Sequence, residues 1–110
     1  MRDEADLFRT LADPIRLRLA VLLATQGETC VCMLAQSLDE PDFKISRHLG
    51  IMRAAGIVEA RREGTWMHYR LTEPRNMLEE CLQQCFRDCL AGHITIKADL
   101  KRLNRATCRT

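Results

Sequence analysis

The stretch VCMLAQSLDEPDFKISRHLGIM, residues 31–52, places two short apolar stripes on either side of a polar turn. Val31, Leu34, Ala35 and Leu38 follow the i, i+3, i+4, i+7 spacing of a helix with one buried face. Thr29 stands where a cap for that helix is expected. Asp39-Glu40-Pro41-Asp42 supplies turn and cap residues, after which Ile45, Leu49 and Met52 line one face of a second helix that stops at Gly56. Two helices about a tight polar turn, residues 29–55, form a helix-turn-helix pattern whose second helix is built to enter a DNA major groove. The opposite face of that helix offers Lys44, Ser46, Arg47 and His48, a polar and basic set able to donate to phosphate or to base edges.

Downstream the period changes from helical to alternating. Ile57 to Arg62 and Trp66 to Leu71 read as two strands around Glu63-Gly64-Thr65, so residues 57–71 are expected to form a β-hairpin wing with a basic tip. Arg61 and Arg62 on that wing are candidate phosphate contacts, with Arg70 beside them; pairing across the strands with Glu59 or Glu63 is the competing role. Upstream, Leu7, Phe8, Leu11 and Ala12 mark one helix, and Asp13-Pro14 caps and starts another that carries Ile15, Leu19, Leu22 and Leu23 to Gly27.

Beyond Pro74, a broad apolar stripe runs through Met77, Leu78, Cys81, Leu82, Cys85, Phe86, Cys89 and Leu90. It exceeds what an edge helix of so small a domain buries alone, so residues 75–91 are expected to form a dimerisation helix. A short helix through Ile94, Ile96, Leu100 and Leu103 follows, with fraying expected from Arg105 onward. The expected fold is mainly α with a small β-hairpin wing: one winged helix-turn-helix domain over residues 1–110, dimerising through its terminal helices.

A net charge of +2 implies little, but its distribution is uneven. From Lys44 to Arg70, six basic residues oppose two acidic ones, a net +4 that leaves −2 for the remainder. A basic middle between mildly acidic flanks suits a phosphate-facing surface, with double-stranded DNA as the partner. No stretch has the apolar length to cross a bilayer, and Asp3, Glu4 and Asp6 interrupt any secretory signal, so a cytoplasmic protein without a membrane partner is expected. In a reducing compartment its six cysteines are metal ligands, redox sensors or buried apolar residues rather than a disulfide framework.

Three boxes then carry a resemblance: Glu28-Thr29-Cys30-Val31-Cys32-Met33-Leu34, Lys44-Ile45-Ser46-Arg47-His48-Leu49, and Gly64-Thr65-Trp66-Met67-His68-Tyr69-Arg70-Leu71. In this order they resemble the arsenical-resistance repressors of the ArsR/SmtB family, over about Leu7 to Leu71. That resemblance implies a homodimer on operator DNA, repression without inducer, and release when arsenic(III) or antimony(III) binds the thiolates of Cys30 and Cys32. Some members carry a third cysteine three residues after the pair, and here that position is Ala35.

The third ligand is therefore open, with Cys81, Cys85, Cys89 and Cys108, a small thiol or a hydroxide as candidates. Cys81, Cys85 and Cys89 share or border the Leu78, Leu82 and Phe86 stripe, which favours core packing for them. In a regular helix residues i and i+2 point about 200° apart, so Cys30 and Cys32 could share an ion only if the first turn were unwound. A thiol redox sensor, or a cadmium or lead sensor, on the same fold is the alternative. A thiol oxidoreductase is disfavoured by the lack of a Cys-x-x-Cys motif, a phosphate loop or a Cys-His-carboxylate set. His48, His68 and His93 share no short zinc-type spacing.

Overall fold

A computed structural model describes residues 1–108. Helix α1 (Arg2–Leu11) and helix α2 (Pro14–Gln26) meet at Asp13, whose carboxylate accepts the backbone N–H groups of Ile15 and Arg16 at 2.9 and 3.0 Å. Pro14 gives up no hydrogen bond at the first helical position. Five consecutive residues of α2, Leu19 to Leu23, are buried, so this helix is covered on all sides and forms the centre of the domain. It stops at Gly27, whose φ of 77° a residue with a side chain rarely adopts.

Next come strand β1 (Thr29–Cys30), helix α3 (Val31–Leu38) and, after Asp39 in left-handed conformation, helix α4 (Asp42–Ala54). Strands β2 (Val58–Glu63) and β3 (Trp66–Leu71) make the hairpin, closed by Gly64-Thr65 with Gly64 at φ 62°. The three strands form one antiparallel sheet in the order β1-β3-β2.

Strand β1 is absent from the sequence reading, because two residues carry no period. It changes the start of α3. Thr29 does not cap the helix: it pairs with Tyr69, and its hydroxyl donates to the Gly27 carbonyl at 2.9 Å. The cap position belongs to Cys30, in extended conformation and paired with His68.

Helix α5 (Met77–Cys85) runs into a wide π turn, Phe86–Leu90. Phe86 is buried and Leu78, Leu82 and Leu90 are half-buried, whereas Cys81 and Cys89 are exposed and Cys85 is half-buried. The core role expected for these cysteines is thus not what they have. Each immediately precedes a core-facing residue, Leu82, Phe86 or Leu90, and one residue is about 100° around an α-helix.

Helix α6 (Ile94–Arg105) packs on α3, held by a buried polar node. The fully buried Asp99 carboxylate accepts Arg18 Nε and Nη2 at 2.9 and 2.7 Å and Arg102 Nη2 at 2.7 Å. Ser37 donates to the Asp99 carbonyl at 2.7 Å, and Arg102 Nε donates to the Ser37 carbonyl at 2.7 Å. With its charges and lone pairs matched, this node ties α6 to both α2 and α3. Helix α6 ends at Arg105, but instead of fraying the chain through Cys108 continues along α3 toward its start, Thr107 meeting Gln36 and Cys108 meeting Cys32; the last two residues of the stretch expected to fray lie outside the described residues.

Candidate functional site

The cysteine site is built by three segments. Strand β1 delivers Cys30, the first turn of α3 delivers Cys32, and the segment after α6 delivers Cys108. Because Cys30 lies outside the helix, the opposition expected of i and i+2 does not arise, and no unwinding is needed to bring the pair together. The final segment is clasped by Gln36, whose amide donates to the Thr107 carbonyl at 2.8 Å and accepts the Thr107 N–H at 3.2 Å. The same amide nitrogen approaches the Cys32 sulfur at 3.2 Å.

Cys30 Sγ lies 3.4 Å from Cys108 Sγ, and Cys32 and Cys108 are joined as a disulfide with Cα atoms 6.1 Å apart. All three sulfurs lie within 4.8 Å of one another. Two bonds of ~2.3 Å, a usual metal–thiolate length, span at most about 4.6 Å, so the reduced set matches the reach of one soft ion after small adjustment. Among the described residues, no other trio of cysteine, histidine or carboxylate side chains is so gathered. Cys30 is buried while Cys32 and Cys108 are partly accessible, giving a site closed on one side. Cys81, Cys85 and Cys89 stand apart on α5 and the π turn. There, hydrogen bonding to Cys89 together with desolvation pushes the Cys85 thiol above its ordinary range.

On α4 the outward face differs from the expected one. Ser46 and Arg47 are exposed, as anticipated, but Lys44 is half-buried and paired with Glu40 at 3.0 Å. His48 is turned inward, only 7% exposed, which removes it from the DNA-facing set. Its Nδ1 lies 3.2 Å from Arg16 Nη1, and since a guanidinium can only donate, His48 must accept there as neutral imidazole. Desolvation, with the positive charges of Arg16, Arg47 and Lys44, lowers the His48 pKa below 6.5 against the pull of Asp13. The face actually presented is Phe43, Ser46, Arg47 and Gly50, again at i, i+3, i+4 and i+7.

On the wing, Arg61 pairs with Glu28 at 2.6 Å and Glu63 at 2.8 Å, and both pairs hold its pKa above the ordinary arginine value. Arg70 pairs across the strands with Glu59 at 2.6 Å. Arg62 is exposed and has no ion-pair partner among the described residues, so it is the wing arginine freest to meet an external anion. The sheet register sets Cys30 beside His68 and His68 beside Arg61, so the cysteine site and the wing lie on one row of cross-strand neighbours.

The sequence model of bacterial regulatory proteins of the arsR family matches residues 13–60. An HTH-type transcriptional regulator of Methanocaldococcus jannaschii is 45% identical over 71 residues, covering 64% of this chain and 80% of that protein. The arsenical resistance operon repressor of Escherichia coli K12 is 48% identical over 66 residues, covering 60% of this chain and 56% of the repressor, so this chain spans little more than half of it. Among solved structures, the homodimeric winged helix-turn-helix DNA-binding domain of a possible ArsR-family regulator from Mycobacterium bovis superposes with a TM-score of 0.64 at 28% identity, over 99% of this chain and 89% of that one. With helix-turn-helix, wing and sequence kinship in agreement, the chain belongs to the arsR family of bacterial regulatory proteins.

Proposed function

We propose that this protein is a metalloid-responsive transcriptional repressor that binds operator DNA as a homodimer and is released when arsenite or antimonite binds Cys30, Cys32 and Cys108. The observation carrying this reading is the gathering of three sulfurs within 4.8 Å at the start of α3. Three soft donors suit a trivalent thiophilic centre: arsenous acid exchanges its three hydroxyls for the sulfurs of three thiols, whose protons leave with the hydroxyls as three waters. The site has two routes to the DNA-binding elements. Helix α3 packs on α4, and Cys30 lies in the sheet beside the wing strand β3. An inducer that favours a shifted position of β1 and α3 then needs no contact with DNA, and coupling of about 1–3 kcal/mol would lower operator affinity roughly 5–150-fold.

Ser46 and Arg47 are the base-facing residues in this reading. Arg62 holds phosphate, and Lys44 and Arg61 contribute only by leaving Glu40, Glu28 and Glu63. The helix-turn-helix spans residues 29–55, the wing 57–71, and the segment 75–91 joins α1 at the dimer contact. No helix among the described residues is long and apolar enough to cross a membrane.

A second reading is favoured by the Cys32–Cys108 disulfide. Hydrogen peroxide could convert the two thiols to that disulfide with release of two waters, making the same site a redox sensor. One experiment separates the readings: titration of the reduced, operator-bound protein with arsenite, antimonite, cadmium, lead, zinc and, separately, peroxide. Release by one equivalent of arsenite or antimonite per protomer under strict reduction is expected. Release by peroxide alone would replace metalloid sensing with redox sensing, and release by cadmium or lead alone would change the inducer.

A further inference from the structure

We propose that Phe43 reads a thymine of the operator through its C5-methyl group, an inference that rests on the DNA-binding reading above. Phe43 is the second residue of α4, in the first turn, where a helix lying in the major groove brings side chains to base edges. Its side chain is 76% exposed, although Ile45, His48, Leu49 and Met52 of the same helix are all turned inward. A phenyl ring is thus presented to solvent on the face that also carries Ser46 and Arg47, one turn further along.

The same face is open for close approach at Gly50, where an added Cβ would meet nothing within 4 Å. Of the groups the four bases present in the major groove, the thymine methyl is the one sizeable apolar group; beside the small C5–H of cytosine, the rest are hydrogen-bond donors and acceptors. A phenyl ring has neither a donor nor a strong acceptor to offer them. Set in the groove, it gains by covering a methyl and loses by desolvating a carbonyl or an amine, so it discriminates for thymine. Arg47 beside it donates to guanine or phosphate, and the two side chains read neighbouring positions of one half-site.

The test uses the reduced 110-residue chain and a duplex selected from a random pool. Each thymine is replaced in turn by deoxyuridine, symmetrically in both half-sites, which removes only the methyl group. At one position wild type should lose about fourfold in affinity per half-site, the ratio that corresponds to burying one methyl-sized group. Phe43→Ala should bind the thymine and deoxyuridine duplexes equally while keeping its thermal midpoint, since the ring is outside the core.

Wild type indifferent to every replacement, or Phe43→Ala retaining the full deoxyuridine penalty, would overturn the assignment of Phe43 while leaving DNA binding intact. A Phe43→Ala protein whose oligomeric state changes while its deoxyuridine response does not would assign the ring to a protein contact instead. Failure of wild type to enrich any duplex would overturn the DNA-binding reading itself, and is recognised by the absence of a selected sequence.

Discussion

Cys30 and Cys32 are legible as a pair because their box is local, whereas Cys108 stands 76 positions beyond Cys32 and owes its place to the length and course of α6. Ala35, which removes the nearest alternative donor, is 2% exposed in the core behind the site. Cys108→Ser should therefore bind operator as wild type does, yet need at least tenfold more arsenite for release in a reduced fluorescence-anisotropy titration. An unchanged arsenite midpoint would return the site to two thiolates. His48 makes the opposite point, since its burial was available from period alone: with Ile45, Leu49 and Met52 it completes i, i+3, i+4, i+7. Its lowered pKa has a definite sign in stability. The unfolded chain takes up the proton first, so stability is whole above the unfolded value of 6.5 and declines as pH falls through it toward the folded value. Between pH 7.5 and 5.5 the thermal midpoint of wild type should fall more steeply than that of His48→Gln, and parallel slopes would show that burial of His48 beside Arg16 imposes no such cost.

Helical elements with a strong apolar period were readable to within a few residues, and the elements that were not have identifiable reasons. Strand β1 is two residues long and exists only because β3 offers it a partner. By period the stripe after Pro74 forms one face, but the core takes Leu82, Phe86 and Leu90 and leaves the cysteine that precedes each toward the outside. The final segment had no apolar period to announce it. Beside the Cys32–Cys108 link it is held by one polar side chain, Gln36, whose amide reproduces with Thr107 the paired hydrogen bonds that a neighbouring strand would make. Gln36→Ala should free that segment without disturbing α3, because Gln36 is exposed and the buried Leu34, Ala35 and Leu38 remain. In the reduced protein, tryptic cleavage after Arg105 should accelerate severalfold, and the arsenite midpoint should rise toward that of Cys108→Ser while operator affinity stays unchanged. Cleavage at the wild-type rate would mean that the α6 node of Asp99, Arg18 and Arg102 holds the segment without the clasp.

At the scale of the molecule, the first helix and the helix that follows the wing meet on a surface that the monomer leaves incomplete. Helices α1 and α5 line a common groove, with Leu7, Leu78 and Glu79 among its walls. The same two helices carry Phe8 at 50% and Met77 at 72% exposure, large apolar side chains with no share in the core. Pairing α1 and α5 with their copies about a twofold axis would cover both side chains and set two α4 helices toward successive half-sites, as an isologous dimer on a palindromic operator requires. The dimer test must spare the core, which excludes Leu82, a residue packed against the buried cluster. Met77 is suited to it, because arginine at an exposed first-turn position costs the monomer little. Met77→Arg should retain the thermal transition of the folded domain at low protein concentration. It should also shift sedimentation from dimer to monomer and weaken operator binding at least tenfold, since each half-site would then be bound without its tethered neighbour. A Met77→Arg protein that remains dimeric with full operator affinity would move the interface off this face.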